Sequence, residues 1–191
     1  MTALNTAELA FAQITTTAKG AKTLPALYTN GDVVTWQFSD PMEVPFEASA
    51  FQDPDGLANR VTLCMTPSAD MTATIEALDA WCIETLSKNP TTLIGVQLTP
   101  EQVKERYVSC LKTSEKGYTT IRTKINRTGR YALQAYTPDK VKRDHPESWR
   151  GCSIQPQVCF KGLYIMGREF GCVLETTHAI VHESKGDLCP F

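Results

Sequence analysis

The sequence predicts an α+β domain, mainly β, in which a small antiparallel barrel carries two inserted helices. Three observations predict it. About seven short segments rich in β-branched and aromatic residues recur with turn residues between them. Two stretches of helical periodicity, each with a good N-cap, lie side by side in mid-chain. Strands and helices do not alternate as parallel βαβ units would require. At 191 residues and 42% hydrophobic, the chain is expected to form one domain over 1–183, with a flexible tail at 184–191.

The first 30 residues are rich in Thr and Ala, and only Phe11 to Thr17 reads as a strand. Gly20, Pro25 and Asn30-Gly31 mark turns. Val33 to Ser39 is a strand, and Pro41 and Pro45 confine Met42 to Ala48 to an edge or irregular strand. Asp53-Pro54-Asp55-Gly56 is a turn, followed by a strand from Arg60 to Met65. Ser68 caps a helix running to Lys88, with Met71, Ile75, Leu78, Trp81, Cys82 and Leu86 near helical spacing. Thr99, Pro100 and Gln102 form a capping-box start for a second helix, expected to end by Leu111. Tyr118 to Asn126 and Tyr131 to Thr137 flank Arg127-Thr128-Gly129-Arg130 as an expected hairpin. A polar loop spans 138–150, and Cys152 to Met166 with Phe170 to Glu183 form a second hairpin around Gly167-Arg168.

The net charge of −2 hides an asymmetry: 14 Lys/Arg stand against 5 Asp/Glu in 104–168, and 4 against 12 in 1–103. A basic middle third points to a polyanion, unless folding interleaves the segments and neutralises the excess. Alternation sharpens this. One face of the 118–126 strand carries Tyr118, Thr120, Arg122, Lys124 and Asn126, the other Thr119, Ile121, Thr123 and Ile125. Cations beside an aromatic ring suit a single-stranded nucleic acid, since cations track phosphates and rings stack on unpaired bases. Arg127 and Arg130 extend the patch, as do Tyr136, Lys140, Lys142, Arg143, Trp149, Arg150 and Lys161.

Enzyme chemistry finds little support. No phosphate-cradling glycine loop or nucleophile elbow occurs. His178 and His182 lie about 13 Å apart along a strand, too far to share a metal ion. No catalytic residue, metal or cofactor is expected, although seven cysteines and three histidines leave a dispersed Cys–His pair open. No apolar run of membrane-spanning length and no leader pattern occur, so an intracellular protein with reduced thiols is expected.

Two stretches carry a resemblance. Trp149 to Val181, with Gly151, Phe160, Tyr164, Gly171 and the run from Val173 to Val181, resembles the closing hairpin of viral and phage single-stranded DNA-binding proteins of the OB-fold type. Asp187-Leu-Cys-Pro-Phe191 is similar to the acidic tip ending in Pro-Phe with which bacterial single-stranded DNA-binding proteins recruit replication and repair enzymes, though Lys185 makes this tail less acidic. The resemblance implies an OB-like barrel whose groove holds single-stranded DNA, with the helices as insertions. It also implies a role in DNA replication, recombination or repair in an infected host cell, with Asp187 and Phe191 as partner contacts. A structural or virion β-module without nucleic-acid binding is the alternative, and self-association is compatible with either.

Overall fold

The computed structural model describes residues 5–16, 20–50, 53 and 56–182. In chain order these form β1 (Leu9–Phe11), β2 (Thr15–Thr16), β3 (Lys22–Leu24), β4 (Ala26–Tyr28), β5 (Val34–Gln37), β6 (Met42–Glu43) and β7 (Arg60–Met65). Three helices follow, α1 (Ala69–Lys88), α2 (Pro90–Ile94) and α3 (Pro100–Arg106). The second half holds β8 (Tyr107–Val108), β9 (Leu111–Thr113), β10 (Thr119–Asn126), β11 (Gln134–Tyr136), β12 (Lys142–Arg143), β13 (Ser153–Met166) and β14 (Glu169–His182). Among the described residues no helix is long and apolar enough to cross a membrane.

The long hairpin β13–β14 organises the sheet. Along the free edge of β13 lie β6, β5 and β3, all antiparallel. Along the free edge of β14 lie β8, β10 and β11, all parallel to it. β10 then pairs with β7 over six residues, and Ser49 bridges to Thr62 on β7. The Val44 N–H donates to Cys152 O, so the 42–50 segment touches both β13 and β7 and curls the sheet back on itself. The result is an OB-like α+β fold. Inward side chains of the strands, including Leu63, Ile121, Ile125, Ile154, Val158 and Phe160, fill one buried core.

Gly162 makes the curl possible. The register shifts between Phe160 and Gly162, a bulge that bends β13 and re-aims Lys161. Its φ is +107°, and a Cβ there would lie 2.0 Å from the Leu24 carbonyl oxygen. Only glycine fits.

Helix α1 keeps its expected bounds: Ser68 Oγ accepts from the Met71 N–H, and Met71, Ile75, Leu78, Cys82 and Leu86 are buried. Its Asp79 ties the helix to the sheet by accepting from Tyr107 Oη (2.6 Å) and Ser109 Oγ (2.5 Å). Burial raises the Asp79 carboxyl above its ordinary range, against the lowering effect of those two bonds. Asp79→Ala orphans both hydroxyls and is expected to lower stability by about 2–3 kcal/mol in urea unfolding. With the folded value raised, Asp79 contributes most below the ordinary aspartate range, and its contribution fades as pH rises through the raised value. Asp79→Asn removes that pH dependence.

Three expectations need correction. The second helix stops at Arg106, not Leu111, because Tyr107 and Val108 turn extended and pair with Phe170 and Gly171 of β14. The hairpin expected across 127–130 does not form: β10 and β11 both run parallel to β14, so they point the same way and cannot be hairpin partners. The expected strand from Phe11 is broken into β1 and β2, and Thr17 lies outside the described residues. Helix α2, opened by Pro90, was not foreseen.

Candidate nucleic-acid interface

The alternation predicted for β10 holds. Ile121, Thr123 and Ile125 are buried, Arg122 is exposed and Lys124 half-buried on the outer face. β7 follows the same rule, with Arg60, Thr62 and Cys64 outward and Val61, Leu63 and Met65 inward. The register sets Arg122 opposite Cys64, Lys124 opposite Thr62 and Asn126 opposite Arg60. Two hollows follow one another along this face. One of about 530 Å³ is lined by Ser49, Thr62, Cys64, Lys112, Arg122, Lys124 and Tyr164. The next, about 510 Å³, is lined by Arg60, Asn126, Arg130, Tyr131, Lys161 and Glu175. Together they form a trough beside β7 and β10.

Glu175 of β14 sits at the junction, register partner of both Lys124 and Cys159. Its buried carboxylate accepts from Arg60 Nη1 at 2.9 Å and lies 3.9 Å from Lys161 Nζ. One carboxylate is thus shared by two cations, with Lys124 alongside. Lys124 Nζ donates to Thr62 Oγ1 (2.7 Å), and among the described residues neither it nor Arg122 has a carboxylate partner. Burial, then the charges of Arg60 and Arg122, hold the Lys124 ammonium below the usual lysine range. The trough is therefore a place where positive charge is crowded and partly desolvated, which an anion would relieve. Tyr131, 72% exposed, lines the second hollow with the Arg130 guanidinium over its ring at 5.6 Å, and Tyr118, 71% exposed, stands just before β10 outside both hollows.

The fold is similar to that of the single-stranded DNA-binding protein from bacteriophage Enc34, solved in complex with ssDNA. The TM-score is 0.51 at 10% identity, covering 91% of this chain and 96% of that one. A C-terminal truncation of the same phage protein gives a TM-score of 0.50 at 10% identity, over 95% of this chain and 99% of that one. The two proteins share a fold. No family model matches the chain, and no curated protein matches it in sequence.

The structure brings Arg122, Lys124, Arg130 and Lys161 to the trough, with Tyr118 at the head of β10. Tyr136 lines a separate hollow on β11 and β14, next to the exposed Lys142 on β12. Arg143 and Arg150 line another, in the 143–152 loop. Asp187 and Phe191 lie outside the described residues.

Two expected contacts are corrected. Trp149 is only 3% exposed and packs against His145 in the core, so its ring is not offered to a base. The Arg127 guanidinium is taken up by the carbonyls of Gly56, Ala58 and Ala48, which pins the loop before β7 to the end of β10. Arg127→Met is accordingly expected to lower stability by about 1–3 kcal/mol in thermal or urea unfolding. Oligonucleotide affinity of the folded fraction is expected to stay within about two-fold, because this cation faces carbonyls rather than the trough.

Sequence reasoning missed Arg60, Lys112 and Tyr131. Alternation within Arg60 to Met65 carried the signal for Arg60. That Lys112 faces Arg122 and Lys124 depended on β9 folding back along β10, which nothing local announces.

Proposed function

We propose that the chain binds single-stranded DNA without catalysis, and serves DNA replication, recombination or repair in a phage- or virus-infected cell. The observation that carries this reading is the trough along β7 and β10. Arg60, Arg122, Lys124 and Lys161 supply cations for phosphates, and Tyr118 and Tyr131 supply exposed rings for unpaired bases. The fold likeness supports the same reading, since the phage Enc34 protein is named for and solved with single-stranded DNA. Burial pushes the Cys82, Cys159 and Cys172 thiols upward, away from the reactive thiolate, which counts against thiol catalysis at those three.

Fluorescence anisotropy with labelled oligo-dT and matched duplex tests it. Saturable binding to the single strand, weaker on duplex and falling with salt, is the expected result. Self-association that ignores DNA would favour the structural module instead. Asp187 and Phe191 are proposed as a partner contact; removing Phe191 is expected to abolish that contact and leave DNA binding intact.

A further inference from the structure

On the same outer sheet face, two residue pairs beyond the Cys159–Glu175 row and past a register shift, the pairing sets Gln37, Gln157 and His178 side by side across β5, β13 and β14. They line a hollow of about 270 Å³ together with Tyr136, Ile180 and Lys140. That is smaller than the roughly 300–1,000 Å³ of drug-sized cavities, and suits one flat heterocycle. The Tyr136 and His178 rings lie nearly parallel, 18° apart with centroids at 6.2 Å.

The amides here differ in availability. Gln155, which also lines the hollow, is committed to the Ser39 carbonyl and to His182. Gln37 and Gln157 have no side-chain hydrogen bond among the described residues. An unengaged amide offers a donor and an acceptor side by side, the pattern that complements the N6/N7 edge of adenine. Lys140 holds φ of +63°, a left-handed conformation that no other non-glycine among the described residues adopts. A tight turn fixes it, with the Lys140 N–H donating to Thr137 O and the Thr137 N–H to Val141 O, both at 2.8 Å.

Building on the single-strand reading, we propose that this hollow receives one base of the bound strand, preferentially adenine, read by Gln37 and Gln157, with Lys140 on the adjoining phosphate. Binding along the trough is indifferent to sequence; in this separate hollow it is selective.

The test compares d(CA)10 with d(CT)10, which cannot pair with themselves, by anisotropy on the full chain. Wild type is expected to favour d(CA)10 by about five-fold or more, the usual range for a bidentate amide–base contact. Gln157→Leu is expected to bring that ratio close to one while leaving d(CT)10 affinity within about two-fold. Gln37→Leu repeats the measurement should the first variant fold poorly. A wild-type ratio of one, a ratio unchanged in both variants, or equal losses on both oligomers would overturn the adenine hollow and leave single-strand binding standing. No binding to either oligomer would instead remove the single-strand reading itself.

Discussion

Gly162→Ala is expected to destabilise the domain by more than about 3 kcal/mol, a large share of the roughly 5–15 kcal/mol that holds a domain together. The added methyl would meet backbone atoms, Leu24 O at 2.0 Å and Ala26 N and Pro25 Cα at 2.8 Å, and backbone cannot swing aside as a side chain can. The φ of +107° adds strain for any residue with a Cβ. Relief requires moving the β3–β4 corner off β13 or undoing the bulge, and undoing the bulge rotates Lys161 away from Glu175. Gly167→Ala is the control. Its φ is also positive, at +61°, but a Cβ there meets nothing within 4 Å. The control is expected to lose only about 1 kcal/mol of unfolding free energy, so its urea midpoint falls far less than that of Gly162→Ala. Equal midpoints for the two variants would show that the close approach at β13 is not what shapes the sheet.

The second large effect concerns the trough. The double variant Arg122→Ala/Lys124→Ala is expected to lose at least about ten-fold in affinity for oligo-dT at low salt. The slope of log K against log salt is expected to flatten by about 1.4, some 0.7 for each phosphate no longer neutralised. Stability is expected to hold, since Arg122 is exposed and neither cation pairs with a carboxylate among the described residues. Lys124 adds a pH signature. Its ammonium is held below the usual lysine range in the free protein, and a phosphate beside it favours the protonated form. Binding therefore takes up a proton, and affinity declines with rising pH earlier than an ordinary surface lysine would dictate. Lys124→Arg removes that decline, because arginine stays charged. A pH profile unaltered by Lys124→Arg would exclude Lys124 from the phosphate path.

Much of this was legible where the physics is local. Capping fixes α1 and the start of α3, because the Ser68 and Thr99 side chains bond N–H groups only three residues away. Alternation assigns Arg122 and Lys124 outward and Ile121 and Ile125 inward, because strand periodicity is the same wherever the strand is placed. Pairing was not local. Arg127-Thr128-Gly129-Arg130 has the composition of a hairpin loop, yet Arg127 reaches back to carbonyls some seventy residues earlier and carries the chain past β10 to a parallel seat on β14. Trp149 reads as an exposed aromatic in a polar loop, but Glu47 accepts from the Ser148 hydroxyl and the backbone of Trp149 and Arg150, drawing the loop inward and burying the ring. Those same bonds outweigh the upward push of burial and hold the Glu47 carboxyl below its ordinary range. The trough itself is assembled from strands about sixty residues apart, so alternation joins Arg122 to Lys124 but nothing in the sequence adds Arg60 and Lys112 to them.

Cys64 offers the most direct measurement of where the strand lies. It is a partly exposed thiol on the trough wall, opposite Arg122, whereas Cys82, Cys110, Cys152, Cys159 and Cys172 are buried. Alkylation of Cys64, followed by peptide mass mapping in a Cys189→Ser background, is expected to slow several-fold when oligo-dT saturates the protein, and not with duplex at the same concentration. An unchanged Cys64 rate under saturating oligo-dT would place the DNA elsewhere and contradict the account.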